Sequence, residues 1–483
     1  MSKLISNYLY NTIYQFLLLA LPVITIPYLS RALGPEGIGM NAYSLSVVQI
    51  FVLFSVVGIP LYGNRQIASA KDSGQGKLSR EFWSLYLIQI VTSLIVMIIY
   101  LLFVFLTIDN YRSIFISQLF ILLASMIDIS WFYIGLEELK KTIIRNATVR
   151  IVSLLLIFIF IKQPDDLLNY MYINGITQFI GQAVLWVHLN KYVKPTRIKR
   201  TDIIRHLKPM FIIFSSQIII HVYIVLDKVL LGVFVNEKEV GFYEQALKII
   251  NLSLSFIFSL GIVMLPRIAS EFSRGNHEKI KHYNHFSMKF ILFLTLPLMV
   301  GMASVADTLV PWFLGPGYEK VVILIVIMSP IIVFIGFSNL FGIQILLPTQ
   351  QQNKLTISVA VGAAVSIIVN ILLIKKYESL GTAIATLIAE ASVMLVQFLY
   401  VFKLIELKEL MKSFMKYGLL SALMGLVVFI MGYFLHNATL LVPLIQVGAG
   451  IFIYLGILLL IKDDFLFSII NKVSNGRIRK TGD

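Results

Sequence analysis

From Tyr8 to Ile461 the chain is a row of hydrophobic stretches joined by short polar links. A bilayer's hydrocarbon core takes about 20 apolar helical residues to cross, and inside it each backbone N–H and C=O must find a partner within its own segment. Each stretch therefore predicts a transmembrane helix. We place fourteen, over residues 8–33, 39–61, 83–108, 113–136, 147–162, 167–190, 209–234, 241–265, 289–310, 321–346, 355–374, 381–402, 417–435 and 440–461. The links Asp109–Arg112, Gln163–Asp166 and His436–Thr439 are four residues each, too short to fold into a catalytic domain.

The row repeats itself. Gly58 through Arg65-Gln66-Ile67-Ala68-Ser69, at the end of span 2, recurs six spans later as Gly261 through Arg267-Ile268-Ala269-Ser270. Val152-Ser153 through Ile161-Lys162 in span 5 aligns without gaps on Val365-Ser366 through Ile374-Lys375 in span 11. Leu29-Ser30-Arg31-Ala32-Leu33 of span 1 stands against Leu226-Asp227-Lys228-Val229-Leu230 of span 7. Three matches in one order predict two six-span lobes, and an even number of spans per lobe makes them parallel repeats about an axis along the membrane normal. The expected fold is an all-α polytopic membrane protein with one lobe over 1–200 and a second over 201–410. A central cleft lies between the lobes, and two additional helices with a basic cytoplasmic tail occupy 411–483.

Composition agrees. The 483 residues are 58% hydrophobic and 13% charged, with a mean hydropathy of +0.86, outside the range of soluble globular chains. A net charge of +15 would suggest nucleic acid in a soluble protein, but the basic residues alternate from link to link. About 31 of the 40 Lys and Arg lie at the termini and in the links after even-numbered spans, and about 7 on the other side. The positive-inside rule then gives a multi-pass protein of the cytoplasmic membrane with both termini in the cytoplasm. The richest link, Lys191–Lys208, is read as a topology and lipid-headgroup determinant, and no nucleic-acid partner is expected.

Enzyme chemistry finds no support. The chain has no cysteine, which excludes disulfides, thiolate metal sites and cysteine nucleophiles. Gly74-Gln75-Gly76-Lys77-Leu78 lacks the earlier glycine of a phosphate loop and the Ser or Thr that should follow the lysine. We expect no cofactor, no metal and no catalytic residues.

Charges inside the spans are the better guide, since each costs about 2.5–3.5 kcal/mol at the bilayer centre and tends to face a bundle interior or a watery cavity. The ones weighed as candidates are Asp128 in span 4, Asp227 and Lys228 in span 7, Glu244 and Lys248 in span 8, and Glu390 in span 12, with Arg31 near the outer end of span 1. Arg31 and Lys228 hold matching repeat positions, so a pseudo-two-fold axis would bring both to the cleft, with Lys248 on the next span. Three cations there suit an anionic ligand such as a pyrophosphate. The same residues admit a structural reading, in which Lys228 pairs with Asp227, Lys248 pairs with Glu244 one turn away, and Arg31 snorkels outward. Asp128, Asp227, Glu244 and Glu390 are the candidates for coupling to an ion, a task that needs a protected carboxylate; an interhelical hydrogen bond suits Asp128 equally. His221 is read as a core histidine, and Pro22, Pro27 and Pro330 predict bends in their helices.

Several stretches carry a family resemblance: Arg31-Ala-Leu-Gly34-Pro35-Glu36-Gly37, Asp128-Ile-Ser-Trp131-Phe132-Tyr-Ile-Gly135-Leu-Glu137, Leu226-Asp227-Lys228 through Gly232, Leu265-Pro266-Arg267, and Gly342-Ile-Gln344-Ile-Leu-Leu-Pro348. Through them the whole chain resembles the Wzx-type polysaccharide flippases, oligosaccharide-lipid transporters of the multidrug/oligosaccharidyl-lipid/polysaccharide exporter superfamily. The resemblance implies a V-shaped pair of six-helix bundles that alternates between inward-open and outward-open states. Such a protein moves an undecaprenyl-pyrophosphate-linked repeat unit to the outer leaflet, for capsule, exopolysaccharide or teichoic-acid-type synthesis. Carried over by position, it implies that Arg31, Lys228 and Lys248 contact headgroup or glycan, with Arg65 and Arg267 near the cytoplasmic mouth. The partners it implies are the lipid-linked oligosaccharide, the bilayer, and a polysaccharide polymerase with other assembly proteins. Lipid II flippases share the fourteen spans and a cationic cavity and stay open as an alternative. A drug/cation antiporter of the same superfamily is disfavoured by spans 13 and 14 and by the cation excess. A membrane polymerase would need a sizeable outer loop with catalytic side chains.

Overall fold

The computed structural model describes residues 3–435 and 439–478, and the described residues form helices joined by short turns, with no strand among them. In chain order the helices are α1 (Lys3–Val56), α2 (Ile59–Ala70), α3 (Gln75–Thr107), α4 (Arg112–Ser117), α5 (Leu119–Met126), α6 (Ser130–Gly135), α7 (Leu139–Phe160) and α8 (Leu167–Trp186). There follow α9 (Arg200–Phe234), α10 (Glu237–Ser273), α11 (His277–Phe313), α12 (Glu319–Met328), α13 (Ile331–Ser338) continued by a π-helical segment (Asn339–Leu346), α14 (Gln352–Val401), α15 (Leu407–Phe434), α16 (Leu441–Leu460) and α17 (Asp464–Ile478). Of the predicted link His436–Thr439, the residues His436, Asn437 and Ala438 lie outside the described residues, as does the end of the basic tail from Arg479.

All fourteen predicted spans fall on these helices. Among the described residues nine helices are long and apolar enough to cross a bilayer, or ten with the bent α12/α13 pair. Two of them, over 51 and 53 residues, each hold two predicted spans. They turn back at one non-helical residue apiece: Gly34 (φ 68°, ψ 176°) in α1 and Glu378 (φ 52°, ψ −129°) in α14. The remaining two predicted spans lie on α8 and α10. Four amide side chains, Asn169, Asn174, Gln178 and Gln182, lower the hydropathy of α8.

Spans 4 and 10 are both broken, and the break in span 4 shows how a bilayer protein tolerates one. Where α5 ends, the carbonyls around Ile127 lose their helical donors, and unpaired groups there would be costly. The Gln89 amide donates to the carbonyls of Ser125 (2.8 Å) and Asp128 (2.9 Å), the Trp186 indole N–H to that of Ile127 (2.8 Å), and the Trp131 indole N–H to Gln89 Oε1 and the Asp128 carbonyl (3.1 Å each). In span 10 the axis bends by 41° at Ser329-Pro330. The bend expected at Pro330 is therefore present, whereas α1 stays helical through Pro22 and Pro27 and breaks only at Gly34.

Polarity is inverted relative to a soluble protein. Leu106, Phe452 and Leu460 are 79–83% exposed, while Ser55 is buried in hydrogen bonds to Ser93 (3.1 Å) and Ser125 (3.0 Å). The chain forms two compact units, Met1–Glu244 and Gln245–Asp483. The first holds an aromatic core around Phe82, Tyr86, Trp131 and Phe132. At the entry to α9 a buried Glu81 accepts from Arg205 at 2.6 Å and lies 3.3 Å from His206, whose Nδ1 shares a 3.0 Å hydrogen bond with Tyr62. That separation would allow a second ion pair, but burial decides against it, pushing the His206 pKa down to about 4 with Arg205 adding to the effect; His206 is neutral at pH 7. In the second unit α15 and α16 pack on α11, through Met424, Val428 and Tyr454, and the Tyr454 hydroxyl donates to the Phe293 carbonyl at 2.9 Å.

Candidate functional site

The repeat-matched charges of span 7 sit where α9 meets the start of α10. Lys228 and Glu244 form an ion pair of 3.2 Å, both side chains about 85% buried (15% and 14% exposed). Asp227 is 5% exposed and accepts a 2.9 Å hydrogen bond from the Tyr243 hydroxyl. Turning back after Phe234 brings residues 243 and 244 alongside 227 and 228, so two consecutive residues on each helix pair across the hairpin.

Helix α1 packs along α9, and its stretch just beyond the Gly34 break meets the same hairpin with no side chain between the backbones. A Cβ added at Gly39 would lie 1.7 Å from the Glu237 carbonyl oxygen, and one at Gly241 would lie 2.0 Å from that of Pro35. Only glycine fits either position. Arg31 is exposed on α1, one turn before the Gly34 break.

The other candidates are spread more widely. Arg65 is exposed on α2; in the second unit Lys248 is half-buried on α10, Arg267 is exposed near the end of the same helix, and Glu390 is half-buried on α14. His221, expected in the core, is exposed. Asp128 lies in the break of span 4, where its Oδ1 accepts from the Ser130 backbone N–H at 2.7 Å, two residues on at the start of α6. It lines a cavity of about 650 Å³ inside the first unit, together with Arg145 and Arg150 of α7 and Asn174, Gln178 and Gln182 of α8. Sequence reading passed over this cavity, counting Arg145 and Arg150 as topology charges. The signal was a polar stripe of helical period, Asn146, Arg150 and Ser153 on α7 against Asn174, Gln178 and Gln182 on α8.

Residues 4–272 match the protein family described as "Polysaccharide biosynthesis protein". The chain belongs to this family. The chain is 26% identical over 406 residues to a putative O-antigen transporter of Escherichia coli K12, covering 82% of this chain and 96% of that one. Its fold is that of a solved lipid II flippase MurJ in an inward closed conformation, with a TM-score of 0.72, 20% identity, and coverage of 93% and 97% of the two chains. An inward-facing multidrug resistance MATE family transporter of the MOP superfamily follows at TM-score 0.56 and 12% identity, with 81% of this chain and 98% of that chain covered. The family's sequence is thus carried here on a MurJ-like helical membrane fold, and the resemblance to polysaccharide flippases read from the sequence holds.

Proposed function

We propose that this chain is a flippase that moves an undecaprenyl-pyrophosphate-linked oligosaccharide repeat unit across the cytoplasmic membrane by alternating access, in capsule, exopolysaccharide or teichoic-acid-type synthesis. The observation that carries the reading is the alignment with a putative O-antigen transporter over 96% of that protein's length, on a flippase-like fold. It is a transporter and not an enzyme, with both termini in the cytoplasm, and it works beside a polysaccharide polymerase and other assembly proteins. Its lobes are 1–200 and 201–410, with 411–483 as an addition. The breaks in spans 4 and 10, six spans apart, support that division.

In this reading Arg31, Lys228 and Lys248 contact the pyrophosphate or the first sugars, and Arg65 and Arg267 flank the cytoplasmic mouth. Lys228 rests on Glu244, and an incoming phosphate competes with that carboxylate for the ammonium. Asp128, Asp227, Glu244 and Glu390 are the carboxylates through which an ion couples. The structural likeness to MurJ favours a second reading, a lipid II flippase.

Deleting the gene tests both. The first reading expects lipid-linked repeat units to accumulate on the inner leaflet while peptidoglycan synthesis continues; the second expects lipid II to accumulate instead. Complementation with the Arg31→Ala, Lys228→Ala double variant should restore membrane protein but little glycan export. Wild-type export from that variant removes both residues from the substrate path.

A further inference from the structure

The polar cavity inside the first unit has no part in the charge cluster at α9 and α10, and its wall has its own chemistry. Arg145, Arg150 and Ser153 on α7 face Asn174, Gln178 and Gln182 on α8, and Asp128 from the break in span 4 adds a carboxylate to the lining. Residues three and four apart share one helix face, so two polar stripes confront each other within a membrane bundle, where such groups must be satisfied by one another, by water or by a ligand. Ser153 and Asn174 satisfy each other at 3.1 Å. Gln182 is only 5% exposed, and its Oε1 has no hydrogen-bond partner among the described residues.

We propose that this cavity binds the sugar portion of the cargo, an inference that rests on the flippase reading and adds where the glycan is held. An amide offers donors and an acceptor side by side, matching a hydroxyl that both donates and accepts, whereas a phosphate takes donors only. Phosphate could take Arg145 and Arg150, but it would leave the amide oxygens of Asn174, Gln178 and Gln182 unused and would face the Asp128 carboxylate. A lipid tail would strand the whole polar wall. The volume of about 650 Å³ lies within the range of small-molecule sites, about 300–1,000 Å³. The geometry thus separates two parts of one cargo: hydroxyl-rich sugar here, and the anionic linkage at the cations.

The test uses the purified full chain in detergent and two probes. One is the glycan freed by mild acid from lipid-linked oligosaccharide of the gene-deleted host; the other is inorganic pyrophosphate. Gln178→Ala and Arg150→Ala are the variants, because both side chains are exposed and their loss leaves the buried packing intact, as a size-exclusion profile verifies. By calorimetry, each should weaken glycan binding about tenfold and leave pyrophosphate binding unchanged. The proposal is overturned if wild-type protein does not bind the glycan, if the variants bind it equally well, or if they lose pyrophosphate binding instead. Absence of accumulated lipid-linked glycan in the deletion strain would remove the flippase reading itself. Accumulation with full rescue of export by both variants would remove the cavity assignment alone.

Discussion

Lys228 and Glu244 hold each other at 3.2 Å with little solvent around them, so the lysine has a structural share as well as the proposed substrate role, and the two can be separated. Lys228→Ala leaves the carboxylate without this partner and should cost about 1–3 kcal/mol of stability. Adding Glu244→Gln should recover most of that in thermal unfolding, while glycan export stays impaired. Normal export by the double variant would leave Lys228 a purely structural residue. His206 makes a second prediction. Burial holds its folded-state pKa at about 4, against about 6.5 in an unfolded chain, so the unfolded state takes up the proton first as pH falls. The stabilisation is complete above about pH 6.5 and is lost toward pH 4, worth up to about 3 kcal/mol. Melting temperatures between pH 7 and 4.5 should fall more gently in His206→Gln, and parallel curves would refute the neutral-histidine assignment. Such detail was only partly legible beforehand. The charges inside spans could be counted from the sequence, but the partner of Lys228 comes from the next helix, and Asp128 accepts from the Ser130 N–H at a helix start that exists only because span 4 breaks. Hydropathy does not register a break whose carbonyls are satisfied by Gln89, Trp131 and Trp186 from three other positions in the chain.

At the scale of elements, the stretch of α1 just beyond the Gly34 break and the α9–α10 hairpin approach through Gly39 and Gly241 so closely that a single Cβ overlaps a carbonyl oxygen. Any larger residue must push the two backbones apart. Gly39→Val and Gly241→Val should therefore insert normally and lose most export, whereas Gly76→Ala, which meets nothing within 4 Å, should export as wild type. Full export from Gly39→Val would mean that this approach plays no part in transport. The row of spans was legible because a bilayer enforces one length and one polarity on every crossing. The ends of the helices were less so. Residues 34 and 378 reverse the chain with a single non-helical residue, and Glu378 is tied to Lys320 by a 2.6 Å ion pair that no local pattern announces. The helix α17, with Lys472 and Arg477 among its residues, was read only as a basic tail because it is too polar to be a span. The stripes on α7 and α8 were masked by the apolar residues between them.

For the whole molecule, orientation follows from charge and not from packing, since a helical bundle inserted upside down would keep every internal contact. In the topology we propose, the basic residues of even-numbered links set the choice, because moving them across the membrane against its potential is costly and anionic lipid favours them on the inner face. The cysteine-free background makes this measurable. Gly74, between α2 and α3, and Asp109, between α3 and α4, are both exposed, and the 33-residue helix between them spans about 50 Å, more than a bilayer's thickness. An impermeant maleimide added to intact cells should label Asp109→Cys and spare Gly74→Cys until the membrane is opened. Labelling of both residues from one side would overturn the topology, and labelling of Gly74→Cys alone would invert it. Inversion would also move Arg65 and Arg267 from the proposed cytoplasmic mouth to the outer face, where they could no longer meet a substrate made on the inner leaflet.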